Sequence, residues 1–405
     1  MRYIIVIITL LIFTQSRGQD LQSYLQEAEI NNPEIQAFEL RYDIAEEKVN
    51  EVNTLPNTEV SGGYFVSEPE TRTGAQSVRF SARQMIPWFG TITARENYAS
   101  ALADAEYIEV AIAKRKLKLA VSQSYYRLYA IEAKQRVLEE NIELLDTYER
   151  LALTSLEVGN ASAVDVLRLQ IRQNELVEKK EVLEQDFLAE QSEFNNRLNR
   201  EEGEQVVVYD SVPLPSEDFI ISVDNLNNHP ELLKYDELYE SVELAEVLNQ
   251  KESLPDLGFG ADYVAVTERP DMDFNDNGKD IFMPMVSLSI PIFNNKYKSI
   301  SRQNELRQLE LDAQKDERRN QLETTLERAR SNREASRITY NTQLNNLEQA
   351  RDAEEVLIRS YETGTIDFND VLDIQELQLK FQIGLIEATK NYYVQMAIIN
   401  YLNNN

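Results

Sequence analysis

The chain has 405 residues, 42% hydrophobic and 27% charged, so it can bury a sizeable core and exceeds a single small domain. Its 70 acidic residues against 41 basic ones make nucleic acid an unlikely partner, because phosphate binding needs clustered positive charge. The 12 glycines and 11 prolines are few enough to favour long helices, and the lack of cysteine excludes disulfides, thiolate metal sites and a lipidated N-terminal cysteine.

The N-terminus has the pattern of an export signal. Arg2 precedes an apolar run from Tyr3 to Phe13, after which the small residues Ser16 and Gly18 follow. We predict cleavage after Gly18, so that residues 1–18 are the signal peptide; a buried N-terminal helix or a membrane anchor is the alternative. No later stretch offers the ~18 consecutive apolar residues of a transmembrane helix, so any membrane insertion must use β-strands.

Short motifs recur in the same order in the two halves of the chain. The pairs are Asn31-Asn32-Pro33 with Asn227-Asn228-His229-Pro230, Leu55-Pro56 with Leu254-Pro255, Ile86-Pro87-Trp88-Phe89 with Ile290-Pro291-Ile292-Phe293, and Gly159…Asp165-Val166-Leu167 with Gly364…Asp370-Val371-Leu372. Chance matches would not keep their order, so we interpret the chain as an internal duplication. The first structural repeat is then 19–202, the crossover linker 203–217 and the second repeat 218–405.

The first half predicts a helix, a hairpin and two long helices. A helical segment from Leu21 to Asn53 ends before Leu-Pro, since proline disfavours helix in the residue before it. Strands follow over about Thr58 to Val66 and Ser77 to Ile86; in the second of these, apolar and polar residues alternate as on a strand with one wet face. Two long helices come next, at about Thr91 to Val158 and Ser162 to Arg200.

The second half repeats this series after an irregular crossover. A helix from Pro230 to Ser253 precedes two alternating segments, which begin near Leu257 and Val286. Long helices then run from Asn295 to Thr363 and from Asp367 to Leu402. Heptad spacing predicts a coiled-coil seam on the second helix of the first half, at Val166, Leu169, Leu176, Leu183, Phe187, Phe194 and Leu198.

Four strands of about ten residues are long enough to cross a bilayer when tilted. A lipid-exposed sheet must have no open edge, and the smallest barrels use ~8 strands, so the strands have to be pooled with those of other copies. The predicted fold class is therefore mainly α with a membrane β-barrel. A soluble hairpin packed on a helical bundle is the alternative.

The order of these elements resembles the TolC-type outer-membrane efflux channel family over essentially the whole mature chain. The resemblance implies a trimeric 12-stranded barrel, with four strands per chain, continuous with a long periplasmic α-helical coiled-coil barrel. It also implies a passive exit duct of a tripartite efflux pump or type I secretion system in the cell outer membrane. The implied partners are two further copies, a periplasmic adaptor (membrane fusion) protein and an inner-membrane transporter such as an RND pump.

The resemblance implies a gate at the periplasmic tip. Tyr361-Glu362-Thr363-Gly364 followed by Asp370-Val371-Leu372-Asp373 matches the family pattern of acidic rings after the second glycine turn, so Asp370 and Asp373 are the candidate constriction. Their spacing of three puts both carboxylates on one helical face, where six acids in a trimer would attract cations. The alternative is that Asp370 only caps its helix.

The same resemblance implies a latch and a docking surface. Tyr361 and Asp165 match a tyrosine and aspartate that latch the closed tip in the family. The basic residue of a second family latch is replaced here by Ile366, so closure must rest on other contacts. Gly159 and Gly364 are expected at the hairpin turns, where an adaptor would dock.

Other polar signals are weaker. Asp273, Asn275 and Asn277 imitate the start of a calcium loop, but Pro284 stands where the loop needs glutamate, so we predict a hairpin loop without metal. His229 is the only histidine, and no nucleophile motif accompanies the acids, so we expect neither an enzyme nor a cofactor. Arg79 and Arg83 share the wet strand face and are expected to line the barrel lumen, although an ordinary solvated face is equally compatible. A periplasmic coiled-coil adaptor or scaffold protein without a barrel is the rival function.

Overall fold

The computed structural model describes residues 21–157, 162–218, 223–271, 273–293, 295–363, 365–366 and 368–403. The signal peptide predicted for 1–18 lies outside this range. The helices are α1 (Leu21–Asn31), α2 (Pro33–Val52), α3 (Thr91–Glu157), α4 (Ala163–Leu198), α5 (Pro230–Glu252), α6 (Asn295–Glu362) and α7 (Phe368–Leu402). The strands are β1 (Glu59–Tyr64), β2 (Glu70–Thr71), β3 (Gly74–Ile86), β4 (Asp256–Thr267) and β5 (Ile281–Ser289), and a short 3-10 helix covers Val223–Asn228.

The prediction of one helix from Leu21 to Asn53 is wrong, because the chain breaks at Asn32. The Asn32 side-chain oxygen accepts hydrogen bonds from the backbone N–H groups of Glu34 (2.9 Å) and Ile35 (3.3 Å), which caps a new helix. Pro33 occupies the first position of α2, where its missing N–H costs nothing. The other long helices agree with their predicted bounds to within about two residues.

The chain divides into two compact units, each of which combines segments from both halves of the sequence. Unit 1 contains the chain up to Ala37 together with Ala111–His229 and Arg319–Asn405. Unit 2 contains Phe38–Val110 and Pro230–Arg318, and therefore the whole sheet.

In unit 2 the strands form one antiparallel sheet in the order β1-β3-β4-β5, with the unpredicted short strand β2 paired to the start of β3. Phe80 on β3 lies opposite Gly62 on β1 and Tyr263 on β4. The register shifts between Gln76 and Val78, which is a β-bulge. Each half of the chain thus supplies an antiparallel strand pair, as its alternating sequence predicted.

In unit 1 the ends of α3 and α6 and the beginnings of α4 and α7 share one apolar core. The buried members of this core are Leu138, Leu145, Tyr148, Ala152, Val166, Leu169, Leu176, Phe368, Val371 and Leu379. Val166, Leu169 and Leu176 belong to the predicted heptad seam, which is therefore confirmed in this part of α4. Leu144 and Leu151 of α3 do not belong to this core and stay exposed.

The crossover has no regular secondary structure through Asp218, yet tyrosines from the helices of unit 1 hold it in place. The Tyr24 hydroxyl accepts a hydrogen bond from the backbone N–H of Val207 (3.0 Å), and the Tyr125 hydroxyl accepts one from that of Tyr209 (3.1 Å). These contacts satisfy backbone groups that a helix or sheet would otherwise pair. The crossover is consequently a fixed strap rather than a free linker.

Asp218 anchors the far end of this strap. Its carboxylate accepts hydrogen bonds from the Arg337 guanidinium and the Tyr392 hydroxyl, and Arg333 lies 3.4 Å away. Burial acts to raise the pKa of Asp218, but these hydrogen bonds and positive charges outweigh it and hold the pKa below its usual range. Burial and the hydrogen bond to Asp218 raise the pKa of Tyr392 to about 12.

Among the described residues, no helix combines the length and the apolar character needed to cross a membrane.

Candidate functional site

One face of the sheet is covered by large apolar side chains that lie open to solvent. Strand pairing places them together, since Gly62, Phe80, Tyr263 and Phe282 stand in one row across the four strands. The exposed members of this apolar face are Val60, Tyr64, Phe80, Phe259, Tyr263, Phe282, Val286 and Leu288. A patch of this kind marks a surface that another apolar phase or partner covers.

The opposite face of the same strands is polar. Arg79 on β3 forms an ion pair with Asp262 on β4, whose side chain is inaccessible to solvent. An open groove of about 400 Å³ runs along β1 and β3 on this face, lined by Glu59, Ser61, Gly62, Gly63, Tyr64, Phe65, Arg79, Ser81 and Arg83. The apolar face and the polar face are therefore the two sides of one sheet, a single layer of backbone apart.

Arg79 and Arg83 lie on this polar face, as the alternation predicted, while Phe80 lies on the other face and is 57% exposed. Arg79 and Arg83 differ in their surroundings, because only Arg79 has an ion-pair partner in the part of the chain that the structure describes. The sequence did not indicate Asp262 as that partner, although its place on the wet side of an alternating strand was a usable signal. That this face lines a lumen remains a prediction.

Asp370 and Asp373 lie in the first two turns of α7, and both are exposed. Between them Val371 is fully buried in the core of unit 1, and this fixes the rotation of the helix. The two carboxylates consequently point away from the core of their own subunit. A ring of acids around a shared axis is thus geometrically possible, and it remains a prediction.

The predicted latch residues have other contacts in the described chain. Asp165 forms a capping box with Ser162 at the start of α4, accepting the Ser162 backbone N–H at 3.1 Å. The Tyr361 ring packs edge-on against Phe368 with centroids 5.0 Å apart. No hydrogen bond joins Tyr361 to Asp165 within the described residues, so their pairing stays a prediction.

Two contacts between the helical hairpins were not predicted from the sequence. The Arg168 guanidinium of α4 donates a hydrogen bond to the Asn369 side-chain oxygen of α7. One turn further along, Arg172 lies 3.4 Å from the Glu376 carboxylate of α7. Both contacts depend on how α4 and α7 are rotated against each other, which spacing within either helix does not reveal.

Gly159 and Gly364, the predicted docking tips, lie outside the described residues. The loop that imitated a calcium site connects β4 and β5, and its Asn277 side chain bonds the backbone N–H and carbonyl of Arg269 at 2.9 Å each. In the described ranges no group of three or more His, Cys, Asp or Glu residues could hold a metal ion. His229 is buried, and its Nε2–H donates to the Tyr401 carbonyl at 3.1 Å.

No protein-family model and no curated protein matches the sequence. Solved structures do match the fold. The chain is similar to CusC, with a TM-score of 0.78 and 15% identity over 96% of this chain and 93% of that chain. The outer membrane protein VceC from Vibrio cholerae has a TM-score of 0.74 and 15% identity, over 94% of this chain and 95% of that chain. The open state of the MtrE outer-membrane channel from Neisseria gonorrhoeae has a TM-score of 0.74 and 14% identity, over 94% of this chain and 88% of that chain.

A small antiparallel sheet joined to very long helices, matched over nearly the full length of outer-membrane channels, defines the fold class. The chain has the TolC-type outer-membrane channel fold, as the order of its sequence motifs predicted.

Proposed function

We propose that the protein is an outer-membrane channel that serves as the passive exit duct of a tripartite efflux pump or a type I secretion system. The observation that carries the proposal is the two-faced sheet. Its apolar face exposes eight large apolar side chains, and its polar face carries Arg79, Asp262 and Arg83. A barrel wall needs this combination, because one side contacts lipid and the other contacts water.

The sheet also supports a trimer. β1 and β5 are the outer strands of the order β1-β3-β4-β5, and their outer edges have no strand partner in the described chain. An open edge cannot lie in lipid, since its unpaired N–H and C=O groups would each cost several kcal/mol, a rough figure for hydrocarbon. Three copies would supply twelve strands and let each β5 pair with a neighbouring β1.

The long helices would then form the periplasmic portion, with the acidic helix starts at its far end. Asp370 and Asp373 would be the constriction, and Tyr361 with Asp165 a latch that forms in the closed assembly. Gly159 and Gly364 would be the tips to which a periplasmic adaptor docks, and an inner-membrane transporter such as an RND pump would supply the energy. In this proposal the chain has no catalytic role and no cofactor.

Membrane fractionation with a gel assay tests the proposal. The protein should sediment with outer membranes and run as a heat-sensitive trimer. The purified trimer should form low-conductance pores in a planar bilayer. A monomer of ordinary solubility in the periplasmic fraction would refute the proposal and favour the scaffold alternative. A soluble scaffold, however, would leave eight large apolar side chains of one sheet face exposed to water.

A further inference from the structure

We propose that the edge of the sheet next to the helices carries a binding site for anionic phospholipid headgroups, in which Lys251, Lys296 and Lys298 contact the lipid phosphates. The proposal rests on the proposed channel function, because it requires the sheet to lie in a membrane. It adds the class of lipid that the periplasmic side of the barrel would bind.

The ends of β3 and β5 meet at one edge of the sheet. Leu257, at the start of β4, pairs with Ile86 at the end of β3 and with Leu288 near the end of β5. Residues 87–90, which follow β3, and residues 290–293, which follow β5, therefore leave the sheet at the same edge, here called the helix-side edge. In the proposed channel this edge is where the barrel wall meets the periplasm.

Large apolar side chains are open to solvent at the helix-side edge. Phe89 is 76% exposed, Ile292 80% and Phe293 90%. The Trp88 ring lies edge-on against Phe89, with centroids 5.9 Å apart. Aromatic rings favour the boundary between hydrocarbon and water. These side chains thus fit the level at which the lipid headgroups of the periplasmic leaflet would lie.

The end of α5 brings a lysine to the same edge. Asn249 donates hydrogen bonds to the Tyr297 carbonyl (3.0 Å) and the Ser301 hydroxyl (3.1 Å), which joins α5 to the start of α6. Next to the start of α3, a β-carbon at Gly90 would lie 3.6 Å from the Lys251 ammonium nitrogen. Lys251 therefore lies between the two helix starts that follow the sheet.

The start of α6 is a positive segment in an acidic protein. The chain has 70 acidic residues, yet none occurs over 281–304. Lys296 and Lys298 are exposed, and neither has an ion-pair partner in the part of the chain that the structure describes. Arg302 differs from them, because Glu305 lies 2.6 Å away. The two lysines consequently keep their charge available for an external anion.

Acidic side chains on the last turns of α5 already have other partners. Glu246 accepts hydrogen bonds from Ser301 (2.8 Å) and Asn304 (2.9 Å), and Glu252 pairs with Arg95 at 2.9 Å. These contacts hold both carboxylates against the helix starts. They leave the lysines of the helix-side edge as the groups that an anion would meet.

A phospholipid accounts for the charges and the apolar side chains together. Inorganic phosphate would satisfy the lysines but would leave Phe89 and Phe293 in water, whereas a lipid supplies a phosphate and acyl chains at adjoining depths. A lysine close to an anionic membrane surface strengthens binding about fivefold, so three strengthen it about a hundredfold. Salt should weaken the binding, since the lysines are exposed.

Lipid titration of the purified trimer tests the site. In a neutral detergent, phosphatidylglycerol should raise the melting temperature of the trimer, whereas phosphatidylcholine and inorganic phosphate at the same concentration should not. Lys296→Gln with Lys298→Gln should melt like the wild type without lipid. This variant should need about 25-fold more phosphatidylglycerol for half of the shift, because two lysines contribute about fivefold each.

Lys179→Gln with Lys380→Gln is the matched control. It removes two exposed lysines of unit 1 that likewise have no ion-pair partner among the described residues, and it should respond to phosphatidylglycerol like the wild type. An equal shift with phosphatidylcholine or inorganic phosphate would overturn the headgroup site.

Two further outcomes would also count against the lipid site. A variant at Lys296 and Lys298 that melts lower without lipid, yet keeps the full response to phosphatidylglycerol, would assign these lysines to a contact with a neighbouring copy. A membrane trimer that does not respond to phosphatidylglycerol would overturn the lipid site alone. A wild-type chain that forms no trimer in outer membranes would overturn the channel function and the lipid site with it.

Discussion

Arg79 is ion-paired with Asp262 across the neighbouring strands β3 and β4, whereas Arg83, four residues further along the same face, has no ion-pair partner in the described part of the chain. The two arginines should therefore respond differently to the same substitution. Arg79→Ser removes the guanidinium that forms an ion pair with the buried Asp262 carboxylate, and it should lower the temperature at which the trimer dissociates on a gel. Arg83→Ser is the matched control and should dissociate close to the wild-type temperature. Equal effects of the two changes would contradict the difference in pairing.

The assignment of the two sheet faces can be tested by introducing the same charge on each. Phe80→Arg should impair insertion, because an arginine on the lipid face of a barrel costs ~2 to 4 kcal/mol at the bilayer midplane. Ser61→Arg, on the exposed polar face, should assemble normally. The amount of heat-sensitive trimer in outer membranes measures both. If Ser61→Arg blocks assembly and Phe80→Arg does not, the faces are reversed.

The proposed ring of acids at Asp370 and Asp373 predicts cation selectivity. The wild-type pore should conduct poorly, prefer cations and be blocked by multivalent cations added on the side of the helix tips, since these can bridge acids of different subunits. Asp370→Asn combined with Asp373→Asn keeps size and capping ability but removes the charge, so block and preference should weaken while trimer stability changes little. Reversal potentials and block curves are the measurements. Unchanged selectivity and block in the double variant would leave only a capping role for Asp370.

The proposed latch between Tyr361 and Asp165 can be tested separately. Tyr361→Phe removes the hydroxyl but keeps the ring that packs on Phe368. If the latch forms in the closed trimer, single-channel conductance should rise while ion selectivity stays the same. Conductance equal to that of the wild type would leave the tyrosine with its packing role only.

The anchor of the crossover strap predicts how stability depends on pH. The pKa of Asp218 is lowered in the folded chain, so its contribution is present above the unfolded value of about 3.9 and is lost as pH falls through the folded pKa. The pKa of Tyr392 is raised to about 12, so its contribution is present below about 10 and is lost as pH rises from there. Between about pH 5 and 9 neither group should change the unfolding temperature.

Asp218→Asn isolates the acid side of this dependence. The variant should unfold at a lower temperature near neutral pH, because Arg333 and Arg337 lose their carboxylate. It should also show a smaller further decline in acid than the wild type. Thermal unfolding followed by circular dichroism across pH 3 to 11, about the range set by the two pKa values, measures both effects. Parallel acid declines in the two proteins would show that Asp218 does not titrate in this range.

Much of the fold could be predicted because long helices and alternating strands leave strong periodic patterns in the sequence. The break at Asn32 was missed although the sequence contains its signal, because an asparagine before a proline starts a new helix even where the helical pattern continues around it. The 3-10 helix at Val223–Asn228 was not predicted from the sequence. The strap was not predicted either, because the tyrosines that hold it belong to helices far away in the sequence.

Sequence patterns predicted the candidate site only where its residues lie on a single helix or strand. The polar face of β3 follows from alternation along a single strand, whereas Arg79 meets Asp262 because of the register between two strands. The contact of Arg168 with Asn369 likewise depends on the packing of two helices from different halves of the chain. Spacing within a sequence carries no information on either relationship.

In the part of the chain that the structure describes, the outer edges of β1 and β5 have no strand partner. In the proposed trimeric channel, a newly exported subunit would present two strand edges that can pair with any extended chain, and a sheet face that other apolar surfaces will bind. Such subunits would either assemble with two further copies or aggregate, and assembly would be favoured only when delivery to the membrane keeps pace with synthesis. Overproduction should accordingly fill inclusion bodies rather than a periplasmic store of monomers, and yield should follow the capacity of the cell to escort and insert its outer-membrane proteins.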